Sequence, residues 1–245
     1  MIEISVVSYL NSFPFIFGLK NHPIHSEINL HQDIPSVCAR KLLNEEVAIG
    51  LIPVAILPNL KKPQIISDFC ISAEGEVDSV KLFSECPVNE IEEIILDYQS
   101  RTSVKLVQVL CAHWWKINPQ FTSAEPGFEN QIQGKRAAVV IGDRTFSMNG
   151  NFPFEYDLSL EWKKMTGLPF VFAVWASNQP VLSPEFLSSF NEALSFGLEN
   201  LKNSIKDYKS EIKDFDPHFY LTQRIKYNLN DEKRNSINKF LSLIS

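Results

Sequence analysis

No two of the four cysteines, Cys38, Cys70, Cys86 and Cys111, stand as a CxxC pair. That removes the usual sequence sign of a zinc knuckle or a thioredoxin-like redox site and leaves them as reduced core thiols. His22, His25 and His31 fall close together, but no carboxylate or cysteine joins them at a recognised ligand spacing, so no metal is expected. There is no dense Lys/Arg block, and the formal net charge is −6 at pH 7, which argues against nucleic acid as a partner. An anionic ligand would therefore have to be held by local donors against the overall field. The longest apolar run, Leu168 to Ala176, is far short of the ~18 residues of a membrane span. The opening Met1-Ile2-Glu3-Ile4-Ser5-Val6-Val7 reads as a strand rather than a secretory leader, so the expectation is a soluble, cytoplasmic chain, monomeric or homodimeric. Internal repeats, low-complexity linkers and a Gly-rich dinucleotide fingerprint are likewise missing, and with the last goes any expectation of a nicotinamide or flavin.

What is present is an alternation of strand-like and helix-like segments, which argues for an α/β class. Strands are expected at 2–7, 48–52, 65–72, 77–83, 94–96, 137–141 and 170–176. Ser12 and Asp33 are candidate caps for two early helices, with Pro14 in a first turn where proline is tolerated. Val104, Val107, Leu110, Cys111 and Trp114 mark one apolar helix face, on which Trp114 and Trp115 read as packing. Asp157 can cap a helix that stops at Gly167, with Pro169 just beyond. The last third is helical, opening at Ser183-Pro184-Glu185 and again at Asp216-Pro217.

Four polar segments lie where strands end, the usual place for ligands in open α/β sheets: Ser8-Tyr9-Leu10-Asn11, Gly75 to Val80, Asp97 to Ser103, and Ile141-Gly142-Asp143-Arg144. In the third, Ser100, Thr102 and Ser103 surround a helix start, where free backbone N–H groups and the positive dipole end attract a carboxylate. The same residues are equally readable as an ordinary hydroxyl cap. Arg101 is either a carboxylate clamp or a partner of Asp97, and Asp143 either a ligand contact or a cap after its strand. Asn11 could be a plain turn residue, Ser79 a polar position on a strand face, and Tyr9 and Phe13 pocket wall or core.

Taken together, these segments resemble the chorismate dehydratases. The resemblance is carried by Ser8-Tyr9-Leu10-Asn11 with Pro14, Gly50-Leu51-Ile52-Pro53-Val54, Gly75 through Val80, Ser100-Arg101-Thr102-Ser103, Gly142-Asp143, and Tyr156-Asp157-Leu158 with Trp162 and Thr166 through Ala173. It runs in unbroken order from residue 2 to about 176, while the C-terminal helices match in character only.

That resemblance implies a two-lobed periplasmic-binding-protein-like type 2 fold with mixed sheets and an inter-lobe cleft. Residues 1–87 and 174–245 would form lobe one and 88–173 lobe two. It implies the dehydration of chorismate, a small dicarboxylate, to 3-[(1-carboxyvinyl)oxy]benzoate on the futalosine route to menaquinone, without cofactor or metal. Asn11 and Ser79 would be catalytic, and Ser8, Tyr9, Ser100, Arg101, Thr102, Ser103, Gly142 and Asp143 would bind substrate. Neither Asn11 nor Ser79 is a comfortable general base, so the substrate's own enolpyruvyl carboxylate is a candidate for that role. Two rivals remain at this level: a small-anion binding protein of the same architecture, and the related dihydroxynaphthoate synthase.

Overall fold

The structure, a computed structural model, describes residues 1–178, 182–209, 212 and 215–244. In chain order its strands are β1 (Ile2–Val7), β2 (Ile28–Asp33), β3 (Ile49–Pro53), β4 (Gln64–Ala73), β5 (Val80–Ser84), β6 (Glu93–Leu96), β7 (Gln120–Ser123), β8 (Arg136–Ile141), β9 (Phe154–Asp157), β10 (Phe170–Ser177) and β11 (Lys226–Asn228). They form two mixed sheets, one ordered β11-β4-β10-β3-β1-β2 and the other β7-β6-β8-β5-β9. In the first sheet β1 runs parallel to β2 and β3, and β10 runs antiparallel to β3 and β4. In the second, β6 is parallel to β7 and β8, while β5 is antiparallel to β8 and β9.

The principal helices are α1 (Phe13–Asn21), α2 (Pro35–Leu43), α3 (Thr102–Leu110), α4 (Arg144–Met148), α5 (Leu158–Thr166) and α6 (Pro184–Glu199), followed by a last helix over Asp231–Ile244. Period-two alternation sorts the strands of the second sheet between two apolar layers. Leu82, Ala137, Val139 and Ile141 face the main core, whereas Phe83, Ala138 and Val140 join Ile95 and Phe128 in a smaller one on the other face. Among the described residues no helix is long and apolar enough to cross a membrane.

Several expectations change. The sheets divide the chain at residues 74–79 and 167–169: all of β5 pairs within the second sheet, with Val80 opposite Ile141, and all of β10 pairs within the first. The expected divisions at 87/88 and 173/174 therefore fall inside or beyond strands already committed to one sheet. Apolar extended segments look alike in sequence whichever sheet they join. Asp33 does not cap α2, whose N-cap is Ile34. It ends β2 instead, accepting from Ser5 Oγ at 2.8 Å and Lys41 Nζ at 2.7 Å. Ser12 precedes α1 but sends its hydroxyl to Asn11 Oδ1 at 3.1 Å rather than to the helix.

Candidate active site

A cavity opens between the two sheets, where β1, β3 and β8 end. Its walls include Tyr9, Asn11, Pro53 and Phe172 from the side of the first sheet, Ser100, Thr102, Ser103 and Gly142 from the side of the second, and Ser79 from the first segment that passes between them. All four strand-end segments picked out in the sequence thus meet at one place. No charged side chain is among the described wall residues, so whatever polar binding the cavity provides comes from hydroxyls, an amide and backbone N–H groups.

Ser79 is 2% exposed and sits at the end of a loop that the chain holds from several sides. Asp78, just before it, has a positive φ of 61°, a left-handed conformation that non-glycine residues adopt only when their surroundings enforce it. The enforcing group is Asp157. One carboxylate oxygen accepts from the N–H groups of Val77 and Asp78, each at 2.8 Å. The other caps α5 through Ser159 and Leu160 N–H at 3.0 and 3.1 Å. Burial nevertheless pushes the Asp157 carboxyl up to about 6, against the lowering effect of those N–H groups. Arg224 adds ion pairs to Asp78 at 2.6 Å and Glu76 at 2.9 Å.

At the start of α3 the hydroxyls divide their labour. Ser100 Oγ, one residue before the Arg101 N-cap, accepts from Ser103 N–H at 2.9 Å and so satisfies one first-turn amide of α3. Thr102 Oγ1 donates to Phe172 O at 3.1 Å and accepts from Ala55 N–H at 3.3 Å, so it ties α3 to the first sheet and to β10. Ser103 and Ser100 both line the cavity, and since Ser100 Oγ only accepts, the O–H groups of both serines are left to meet a ligand. Arg101 is exposed and lies outside the cavity wall. Asp97, which Arg101 was a candidate to hold, is instead fixed by Arg144 and by the N–H groups of Gln99 at 2.9 Å and Ile141 at 3.0 Å.

Tyr9 lies across the cleft, its hydroxyl donating to Gln99 Oε1. Burial, reinforced by the negative charge of Asp97, holds its ionisation well above the usual tyrosine range, so it stays a neutral donor. Gly142 is required beneath it: φ is +75°, and a Cβ there would stand 2.8 Å from the Tyr9 ring. Asp143 is also outside the wall. Its carboxylate accepts from Leu10 N–H at 3.2 Å, a link between the two sheets, and burial raises it to about 6. Ser8, likewise off the wall, donates its N–H to Asp33 O at 2.9 Å and so helps hold the β1 end to β2.

Residues 2–245 match the profile of a family described as "Menaquinone biosynthesis". The chain belongs to that family. Among curated proteins this family member is 27% identical over 217 residues to a chorismate dehydratase of Thermus thermophilus, covering 77% of this chain and 79% of that one. A chorismate dehydratase of Campylobacter jejuni is 25% identical over 241 residues, covering 96% and 94% of the two chains. Among solved structures, a Candida albicans protein described as exhibiting the generic periplasmic binding protein structural fold superposes with a TM-score of 0.64. It is 12% identical and covers 100% of this chain and 90% of its own, a likeness of fold.

Two residues of this menaquinone-biosynthesis family member escaped the sequence reading: Tyr220 and Tyr227. Tyr220 OH donates to Ser79 Oγ at 2.8 Å, and Tyr227 OH donates to the Asn11 carbonyl at 3.0 Å. Both lie in the C-terminal third, where the residues carry only a helical pattern, and their partners stand 141 and 216 positions away. No local signal connects them.

Proposed function

We propose that the chain is a chorismate dehydratase, a carbon–oxygen hydro-lyase acting in the cytoplasm on a small dicarboxylate. The observation that carries this reading is the cavity itself, in which Asn11, Ser79 and the start of α3 face one another across two sheets with no charged side chain among the described wall residues. In this reaction the C3–H bond breaks, the C3=C4 bond forms and the C4–O bond breaks, so the ring becomes aromatic and water leaves. Charge from C3 is pushed through the C1=C2 bond toward the ring carboxylate. In this reading the hydroxyls of Ser100 and Ser103, at the positive end of the α3 dipole, stabilise that charge as in an oxyanion hole; their position in the cavity wall supports it.

A carboxylate, imidazole or amine able to take the C3 proton is missing from the described wall residues. This supports the enolpyruvyl carboxylate of the substrate as base, with Asn11 and Ser79 orienting it in a largely desolvated site. The protein's contribution is then chiefly geometric. In this reading Ser8 and Asp143 brace the cavity from behind, exposed Arg101 takes no part in it, and substrate contact passes to Asn11, Ser79, Ser100, Ser103 and the aromatic wall.

Ultraviolet monitoring of chorismate with purified protein tests the reading. Catalytic conversion to the enolpyruvyl benzoate is expected, and Ser79→Ala and Asn11→Ala are each expected to reduce kcat by roughly a hundredfold, as loss of a transition-state donor does. A spectrum that changes only stoichiometrically would make the protein a binding module, and near-wild-type rates for both variants would remove these residues from the mechanism.

A further inference from the structure

The segment that begins at Pro217 continues as a π-helical turn over Tyr220–Arg224. One wider turn of this kind re-aims side chains relative to an α-helix, and such turns recur at functional sites. Here its two ends reach the same loop. Arg224 pairs with Asp78, and Tyr220, 2% exposed, donates its hydroxyl proton to the neighbouring Ser79 Oγ at 2.8 Å. Tyr220 is thereby in direct contact with one of the two residues that the dehydratase reading makes central.

The direction of the Tyr220 bond has a chemical consequence. A serine oxygen that accepts a proton on one lone pair keeps its own O–H for another acceptor. Ser79 lines the cavity, and the space open to that O–H is the cavity itself. Without Tyr220 the hydroxyl would rotate freely, and its donor would point into the cavity only part of the time.

We infer that Tyr220 is a positioning residue for the dehydration, fixing the Ser79 hydroxyl as a hydrogen-bond donor toward the C4 oxygen that leaves. The inference rests on the dehydratase reading and specifies what Ser79 does in it. The C3 proton passes to the enolpyruvyl carboxylate, the C3–H electron pair forms the C3=C4 bond, and the C4–O pair departs with the oxygen. That oxygen takes the abstracted proton and leaves as water. Ser79 gives a hydrogen bond in this step and keeps its proton throughout. Burial of Tyr220 raises its ionisation far above the usual tyrosine range, so it remains the donor across the working pH range.

Tyr220→Phe retains the ring that packs against Phe146 and Phe215 while removing the one hydroxyl. With chorismate as substrate, kcat is expected to fall roughly tenfold to a hundredfold with KM within about twofold, since the interaction lost is one made in the transition state. In a Ser79→Ala background the same change is expected to have no further effect, because its route through Ser79 is already gone. Tyr220→Phe at wild-type kcat would overturn the inference. So would an equal loss in both backgrounds, with or without a lower Tm, because that would show the hydroxyl acting on stability or through another path. A wild-type protein that leaves chorismate unchanged overturns the dehydratase reading and the role of Tyr220 with it, whereas an active wild type with an unaffected variant overturns the role of Tyr220 alone.

Discussion

Gly142 joins backbone conformation to ligand geometry in a single residue. Its φ of +75° disfavours any side chain, and the Tyr9 ring occupies the space a Cβ would need, at 2.8 Å. Gly142→Ala is expected to destabilise by about 2–3 kcal/mol, combining a left-handed penalty of about 1 kcal/mol with overpacking against the ring. For a chain of this size that corresponds to a Tm lower by roughly 5–10 °C, and displacement of Tyr9 into the cavity should abolish most turnover. Gly127→Ala is the matched control: φ is +86° with nothing within 4 Å of the added Cβ, so only the backbone penalty of about 1 kcal/mol is expected. Equal effects at the two sites would show that the Tyr9 contact is unimportant. At this scale the sequence was informative but ambiguous. Tyr9, Asn11, Ser79, Ser100, Thr102, Ser103 and Gly142 all line the cavity, yet Ser100 also accepts a first-turn N–H of α3 and Thr102 is tied to Phe172. A hydroxyl that caps a helix and one that grips a carboxylate occupy the same positions, and only their partners distinguish them.

Elements are positioned in this molecule by a few buried acceptors that serve two at once, and Asp157 is the clearest example. It starts α5 and also holds the loop that carries Ser79, accepting four backbone N–H groups in all. Asp157→Ala removes the cap, worth about 1 kcal/mol, and leaves the Val77 and Asp78 N–H groups unsatisfied at about 1–3 kcal/mol each. A loss of roughly 3–7 kcal/mol is therefore expected in a urea titration, together with a fall in kcat, because Asp78 loses what enforces its left-handed backbone. A loss of no more than about 1 kcal/mol would mean that the loop holds itself. The cap of α5 was readable in the sequence, since an aspartate before an amphipathic run is a strong local signal. The second duty was not, because Val77 and Asp78 lie 80 and 79 residues away. The same limit hid the short strands β2, β7, β9 and β11, whose pairing depends on neighbours supplied by distant parts of the chain.

On the scale of the whole molecule, the two sheets are joined across the cleft by Tyr9 to Gln99, Ala55 to Thr102 and Leu10 to Asp143. The strand–helix alternation, read with the family resemblance, was sufficient to anticipate this two-sheet architecture. The cross-links were beyond it, because Asp143 and Leu10 become neighbours only when the lobes come together. Asp143 makes the junction sensitive to pH. Burial raises its carboxyl from 3.8 to about 6, so the folded chain holds this proton where the unfolded chain has already lost it. Stability from this group is consequently greatest below about pH 4, declines as pH rises toward 6, and is level above that. Asp143→Asn keeps an acceptor for the Leu10 N–H and removes the titration. Relative to wild type, the variant should therefore gain up to about 3 kcal/mol between pH 4 and pH 7.5, read from urea midpoints at unchanged m-value. Asp157, with its own carboxyl at about 6, remains in both proteins and cancels in the difference. Parallel pH curves for the two proteins would show that the Asp143 carboxyl is hydrated, and with it that the cleft stands open in solution.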